Sequence, residues 1–413
     1  MAHFPFGGEL FSSVLTECSP KGTKNMRGLN TRVCLGILIA SVLVAPSIML
    51  VGHARAEGET TPWTLAIYYN GDNDLERYYD EYSLPALLNI PSSEGLNVVV
   101  MLDRMSTQGI ELIEIDGGTT QVVNTYPEMN FGDGATFAWF LQEVSTLYPS
   151  DHLVITASDH GYAWRYFSND QTSGDKILMP EFQAALVSAG VYIDVMSFDC
   201  CNMAAIEVLY QISLTGMVDN VVASEETIPM NGFPYDLMFT TVANDPSRTP
   251  DQLACDLVDG WGAYYNPLNW ATTVALSAID VASIGQQAQV FDDWCGSMHD
   301  NLAVYKRSYK NALKSAYCAW ATSEHVDMAD FGEYLLADTK IKDATLRAAT
   351  SAMIAAIDSS VLAFVNGPGA AACHGLTLWW GVGGDWDMYK DAYIDVAFAN
   401  DMGWHAFLVD YNA

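Results

Sequence analysis

The sequence predicts an α/β fold: a mostly parallel sheet with helices on both faces, plus a mostly helical C-terminal part packed on it. Three observations carry the α/β prediction. Strand-like and helix-like segments alternate from Trp63 to Ser224. The strand-like runs are almost wholly apolar, as in strands buried on both faces. Chemistry-bearing residues directly follow two of these runs, at the carboxyl ends where open α/β sheets place their sites.

The composition supports a large core. The chain has 413 residues, half of them hydrophobic, which excludes disorder. The length suits two or three units or one large α/β domain. There are 50 Asp+Glu against 18 Lys+Arg, a formal charge of −32. That acidity argues against nucleic acid, whose phosphates need bases to neutralise them. It equally argues against an anionic membrane surface. Cationic partners or a salty environment fit better. Eight cysteines in so long a chain do not make a disulfide scaffold.

The first 56 residues read as a leader. Arg27 and Arg32 precede an apolar run, Val33–Gly52, and Ala54 and Ala56 then form an Ala-x-Ala site. That is the layout of a secretory signal peptide cleaved after Ala56, which predicts export. Left uncleaved, the run is long enough to anchor the chain in a membrane. Either the leader is extended or the start is Met26. Residues 1–56 hold two acids and five bases, so the remainder carries 13 Lys+Arg against 48 Asp+Glu, a charge of −35. Cys18 and Cys34 leave with it, and the other six cysteines are candidates for pairing outside the cell.

The elements follow in order. Trp63–Asn70 is a strand, aromatic and β-branched, ended by Gly71. Residues 72–89 turn and become helical. Asn97–Asp103 is a buried strand, and Gly109–Ile115 another, closed by Asp116-Gly117-Gly118. Ala135–Tyr148 has helical spacing. His152–Ser158 is a buried strand ending in Asp159-His160-Gly161. Met179–Ala189 is helical. Val191–Phe198 is a strand ending in Asp199-Cys200-Cys201, with a helix expected over Met203–Ile212. Asn220–Ser224 is a short strand. From Pro250 the pattern is mostly helical: 250–264, 281–301, 311–322, 327–337, 344–365, 391–400 and 404–411, with strands at 273–280 and 375–381. The expected organisation is a leader (1–56), a catalytic core (57–240) and a C-terminal part (241–413).

Two strand ends carry the chemistry. A helix starting directly after Cys200-Cys201 would offer a positive N-terminus, which favours thiolate, the nucleophilic form. His160 supplies an imidazole, the side chain suited to proton transfer. Gly161 lets backbone approach a substrate and offers an N–H to an oxyanion. A thiol and an imidazole on neighbouring strand ends suit acyl transfer. Read from spacing alone, either Cys200 or Cys201 is the reactive thiol. The bland alternatives are a buried cysteine acting as a small hydrophobe and a histidine acting as a turn residue.

These segments resemble the clostripain family of cysteine peptidases, in the caspase-like clan. The resemblance rests on Trp63–Tyr68 with Asp72-Asn73-Asp74-Leu75-Glu76, Asn97–Arg104, Asp159-His160-Gly161, Phe198-Asp199-Cys200-Cys201, Ala223–Pro229 with Gly232–Tyr235, Leu276–Asp280, His374–Thr377 and Trp404–Tyr411. It spans nearly all of the chain after the leader. It implies Cys201 as nucleophile, His160 as base, and Gly161 and Cys201 N–H groups as the oxyanion site. It implies Asp199 as the holder of a basic P1 side chain, a task a pocket carboxylate suits. It puts Asn73, Asp74, Ser224 and Glu225 near the site as candidate walls. Self-cleavage is common in the family between the His and Cys strands; here it points to Lys176 in the loop 168–178. Two residues depart from the family pattern: Ala163 stands where a second glycine is common, and Asn202 replaces an apolar residue.

The expected function is a secreted cysteine endopeptidase cutting protein or peptide substrates after Arg or Lys. The alternatives are the same fold reading Asp or Asn at P1, or an inactive surface or binding protein. No cofactor is expected to be required. Asp72-Asn73-Asp74 clusters hard oxygens of the kind calcium takes, without an EF-hand loop; an Asx turn is the plainer reading. No histidine–cysteine spacing suits zinc, and no phosphate-binding glycine loop is present.

Overall fold

The computed structural model describes residues 60–319 and 324–413. The leader, with its signal segment, Ala56 site, Cys18 and Cys34, lies outside the described residues.

A nine-stranded mixed sheet organises the chain. Its strands are β1 (Thr61–Gly71), β2 (Leu96–Arg104), β3 (Ile110–Asp116), β4 (Thr119–Tyr126), β5 (Ser150–Ser158), β8 (Ile193–Asp199), β9 (Val218–Ala223), β10 (Ala275–Asp280) and β12 (Val361–Asn366). The spatial order is β12-β10-β9-β8-β5-β1-β2-β3-β4. The five central strands, β9-β8-β5-β1-β2, run parallel. Antiparallel pairs flank them on both sides. Outside this sheet, β6 (Phe167–Asp170) and β7 (Asp175–Ile177) make a hairpin, and β11 (His325–Asp327) pairs with β13 (Thr377–Trp379).

The apolar runs are explained by two cores. Leu65, Ile67, Val98, Val100, Val154 and Val195 pack on one face. Ala66, Tyr68, Val99, Met101, Ile155, Met196 and Phe198 pack on the other. Alternation thus puts successive apolar residues into opposite layers, and both layers are covered by helices.

Several boundaries differ from expectation. The segment 119–126 is an edge strand; its exposed Thr119, Thr120, Gln121 and Val122 hid the apolar signal, while the Gly117-Gly118 turn announces a hairpin. The helix expected over 344–365 ends at Ser360, and Val361–Asn366 becomes β12, pairing antiparallel with β10. The helical stretch 281–301 breaks at Gln287, and Leu302–Ser315 is a helix of its own, so the segment expected over 311–322 ends early. The helix Tyr235–Asn244 was not expected.

The described residues form one unit, and β10 and β12, from beyond residue 240, extend the sheet that β1–β9 begin. The C-terminal part is therefore woven into the core sheet as well as packed on it. The six described cysteines are all free. Among the described residues, no helix is long and apolar enough to cross a membrane.

Candidate active site

The register of the central strands aligns three carboxyl ends. Tyr69 of β1 pairs with Ser158 of β5, which pairs with Asp199 of β8. The next residues, Asp159-His160 and Cys200-Cys201, therefore leave the sheet side by side. His160, Cys201 and Asp199 line one cavity, walled also by Tyr69, Tyr78, Met230 and Gly232. Gly161 closes the gap between the two turns. A Cβ there would lie 2.7 Å from the Cys201 carbonyl oxygen and 2.8 Å from Cys200 Cβ, so only glycine fits.

Which thiol faces the cavity is now decided by burial. Cys200 is buried and points its Sγ at the Ala157 carbonyl, 3.4 Å away. Cys201 is part-exposed, lines the cavity, and has its Sγ 4.0 Å from the Ile228 carbonyl oxygen.

The helix expected directly after Cys201 is not there. Helix Ile206–Ser213 starts five residues later. Asn202 takes a left-handed φ of +61°, which asparagine tolerates better than most residues. Its Nδ2 donates to the Glu225 carbonyl at 2.7 Å and its N–H to the Glu226 carbonyl at 3.0 Å. Ala204 N–H bonds Ser224, and Ala205 pairs beside Thr377. The segment is extended because these partners satisfy its backbone. A helix dipole therefore does not activate the thiol. Burial, with Asp199, Asp159 and Glu226 nearby, instead raises Cys201 to about 11.

His160 lines the same cavity. Its Nε2 lies 2.9 Å from Asp74 Oδ1, at the mouth of the cavity. Asp74 is presented by a tight turn after β1. Asn73 builds the turn: its Oδ1 accepts from Leu75 N–H at 2.8 Å, and its Nδ2 donates to Asp159 Oδ1 at 2.8 Å and to the Asn169 carbonyl at 2.9 Å. Asp159 is held on its other oxygen by Asn169 N–H, and burial raises its pKa well above the usual carboxylate range.

Asp199 forms the cavity floor. Its Oδ2 accepts from Phe233 N–H (3.1 Å), Tyr235 OH (3.2 Å) and Ser158 OH (3.3 Å). Its Oδ1 takes none of these bonds. Burial raises Asp199 to about 6, with those three donors opposing the rise. Gly232, at φ +66°, leaves room for the carboxylate; a Cβ there would sit 3.0 Å from Oδ2.

Of the residues expected as walls, Asn73 and Asp74 reach Asp159 and His160. Ser224 and Glu225 do not line the cavity. Both are fully buried behind it: Ser224 Oγ accepts from Glu226 N–H, and Glu225 Oε1 accepts from Gly375 N–H at 2.5 Å. Their carbonyls hold Ala204 and Asn202, so they shape the site through the backbone. The loop expected over 168–178 is the β6–β7 hairpin. Lys176 lies on β7, its Nζ 4.1 Å from the Tyr166 ring centre, and the next residue, Ile177, is buried. Tyr69, Tyr78 and Met230 were missed; they are generic apolar residues, and only their position on the cavity marks them. Tyr235 appeared only within the Gly232–Tyr235 resemblance, without a role.

Comparison with known proteins agrees with this geometry. No curated protein matches the chain. An inactive zymogen C11 protease from Parabacteroides distasonis superposes with a TM-score of 0.67 at 18% identity, over 83% of this chain and 99% of that one. A secreted C11 cysteine protease from Bacteroides thetaiotaomicron, solved with an irreversible peptide inhibitor, gives 0.62 at 17%, over 83% and 99%. At these identities the likeness shows the shared caspase-like fold. Residues 67–372 match the model of the clostripain family, Peptidase_C11, and the chain belongs to that family of cysteine proteases.

Proposed function

We propose that the chain is an exported cysteine endopeptidase that cuts after Arg or Lys, with Cys201 as nucleophile and His160 as base. The observation that carries this reading is the single cavity lined by Cys201, His160 and a buried carboxylate, Asp199, with one oxygen uncommitted. A guanidinium or ammonium entering the cavity would pair with that oxygen. It would also screen one of the charges that raise Cys201, so substrate binding itself eases ionisation of the thiol.

The steps follow from the residues. Cys201 Sγ attacks the scissile carbonyl as His160 takes its proton. Asp74, at Nε2, orients the ring and stabilises its charged form. The N–H groups of Gly161 and Cys201 hold the oxyanion; neither donates within the hydrogen bonds of the described residues. His160 returns the proton to the leaving amine, and water releases the acyl-enzyme. The net charge of −32 supports the specificity, since a negative field draws basic peptides. The apolar run before Ala56 supports export.

Self-cleavage after Lys176 is part of this reading, and the hairpin makes it slow. Lys176 pairs with Asn169 across β6–β7, so that bond reaches a nucleophile only when the hairpin opens.

A panel of fluorogenic peptides with Arg, Lys, Asp or Asn at P1 tests the proposal. Arg and Lys peptides are cleaved, Cys201→Ala is inactive, and Cys200→Ala retains activity. Intact mass of the same preparations shows a cut after Lys176 in the parent and none in Cys201→Ala. Cleavage after Asp or Asn alone moves the specificity away from Asp199. No cleavage of any peptide favours a binding protein on the same scaffold.

A further inference from the structure

Helices Ala288–Asp300 and Ala344–Ser360 border a groove of about 900 Å³ that shares no residue with the Cys201 cavity. Asp292, Asp293, Asp300 and Asp343 line it, and no base does. Among the described residues, no ion pair reaches these four carboxylates. Gly296, Ala348 and Ala352 also line the groove, and such small residues let another helix approach closely. Ser297 is a second, independent sign. It lines the groove, is 8% exposed, and its Oγ has no hydrogen-bond partner. A buried polar group without a partner is costly, and native proteins keep one only where something satisfies it.

The complementary feature adjoins the groove. Asn301 lines the groove and directly precedes helix Leu302–Ser315. The Tyr305 hydroxyl accepts from Lys342 N–H at 3.1 Å and Asp343 N–H at 3.3 Å, which fastens the start of this helix beside Asp343. The helix carries four exposed bases, Lys306, Arg307, Lys310 and Lys314, and no acid. With 3.6 residues per turn, the four fall within an arc of about 100°. The row from Lys306 to Lys314 is about 12 Å long, and Asp293 to Asp300 across the groove wall is about 10 Å. Lys306, Lys310 and Lys314 stand at the i, i+4 spacing at which like charges destabilise a helix. The chain has 50 Asp+Glu against 18 Lys+Arg, yet among the described residues no ion pair reaches this row. An acidic surface laid against it would remove that cost.

We propose that the chain pairs with a second copy of itself, the basic row of helix Leu302–Ser315 lying in the acidic groove of the other copy. The occupant is a second copy because one chain carries both halves of the contact, opposite in charge and matched in length. Row and groove adjoin, so a two-fold axis lets each copy give and receive, and the contact closes at a dimer. The row brings donors to the four carboxylates and to Ser297 Oγ. Repulsion between two acidic chains is screened beyond about 8 Å at physiological salt, so the close opposite charges decide. The inference assumes nothing about peptide cleavage.

Analytical ultracentrifugation of the full chain carrying Cys201→Ala tests it at physiological salt, from about 1 to 100 µM, a range that brackets a micromolar Kd. A dimer forms in that range. Lys310→Glu with Lys314→Glu weakens it about a hundredfold or more, and so does Asp293→Lys with Asp300→Lys, because each reversal sets like charges together. All four positions are exposed, so both variants keep the parent's Tm. An equimolar mixture of the two variants restores the dimer, since both contacts again join opposite charges. Where a reversal lowers Tm, the neutral pairs Lys310→Gln with Lys314→Gln and Asp293→Asn with Asp300→Asn replace it, each weakening the dimer about tenfold. A parent that stays monomeric throughout overturns the proposal. So does a dimer that the substitutions leave intact, or a mixture of folded reversed variants that stays monomeric. Assemblies that grow beyond the dimer overturn the two-fold arrangement.

Discussion

At the scale of single residues, Asp199 links burial to specificity. Its pKa is raised from 3.8 to about 6 because the carboxylate is desolvated. The sign follows directly. Below about 6 the group is protonated in the folded protein and has no charge to offer a basic P1 side chain. Above it the charge is present, at a cost in stability that sets in as pH climbs from 3.8 towards 6. So kcat/KM for Arg peptides rises with pH through about 6, and Asp199→Asn loses both that limb and most of the activity. A pH–rate profile of parent and variant checks this; a limb that persists in Asp199→Asn assigns it to another group. The thiol was misjudged from sequence at this same scale. A cysteine after a buried strand suggested a helix dipole, yet Asn202 turns the chain the other way, and burial, with the carboxylates around Cys201, raises its pKa.

At the scale of elements, the two turns that bring His160 and Cys201 together each contain a non-glycine residue with positive φ, Ala163 at +48° and Asn202 at +61°. They should respond oppositely to substitution. Ala163→Gly removes strain and stabilises by about 1 kcal/mol. Asn202→Ala adds strain and loses the Glu225 carbonyl bond, costing about 2 kcal/mol. Urea unfolding of both variants tests this, and equal signs would contradict the backbone account. These two residues also mark what was legible in the sequence. The strand ends and the His160–Cys201 juxtaposition could be read because buried strands are apolar runs with abrupt ends. The left-handed turn at Asn202 could not, because its partners, the Glu225 and Glu226 carbonyls, lie far along the chain. The strands β4 and β12 escaped for a related reason. One is exposed, and the other follows a helix without a break in hydrophobicity.

At the scale of the whole molecule, one sheet takes strands from both sides of residue 240. β10 and β12 come from beyond residue 240 and cover the edge of β9. Val222 packs in the same core as Leu276 and Ala278. A chain stopped at residue 240 leaves that edge and core open. It is expected to be insoluble or to lack a cooperative unfolding transition, whereas a soluble, cooperative fragment would restore the division. The single sheet also explains why the site needs distant segments: Gly375 N–H holds the Glu225 carboxylate and Thr377 N–H holds the Ala204 carbonyl, beside the turn that carries Cys201.

The most direct test of the whole account is covalent labelling by an Arg-directed thiol-reactive peptide, mapped by mass spectrometry in parent, Cys201→Ala, Cys200→Ala and His160→Ala chains. One label on Cys201, kept in Cys200→Ala, absent in Cys201→Ala and much slower in His160→Ala, is the predicted result. An unlabelled parent, or a label on Cys200, would contradict the assignment of the site.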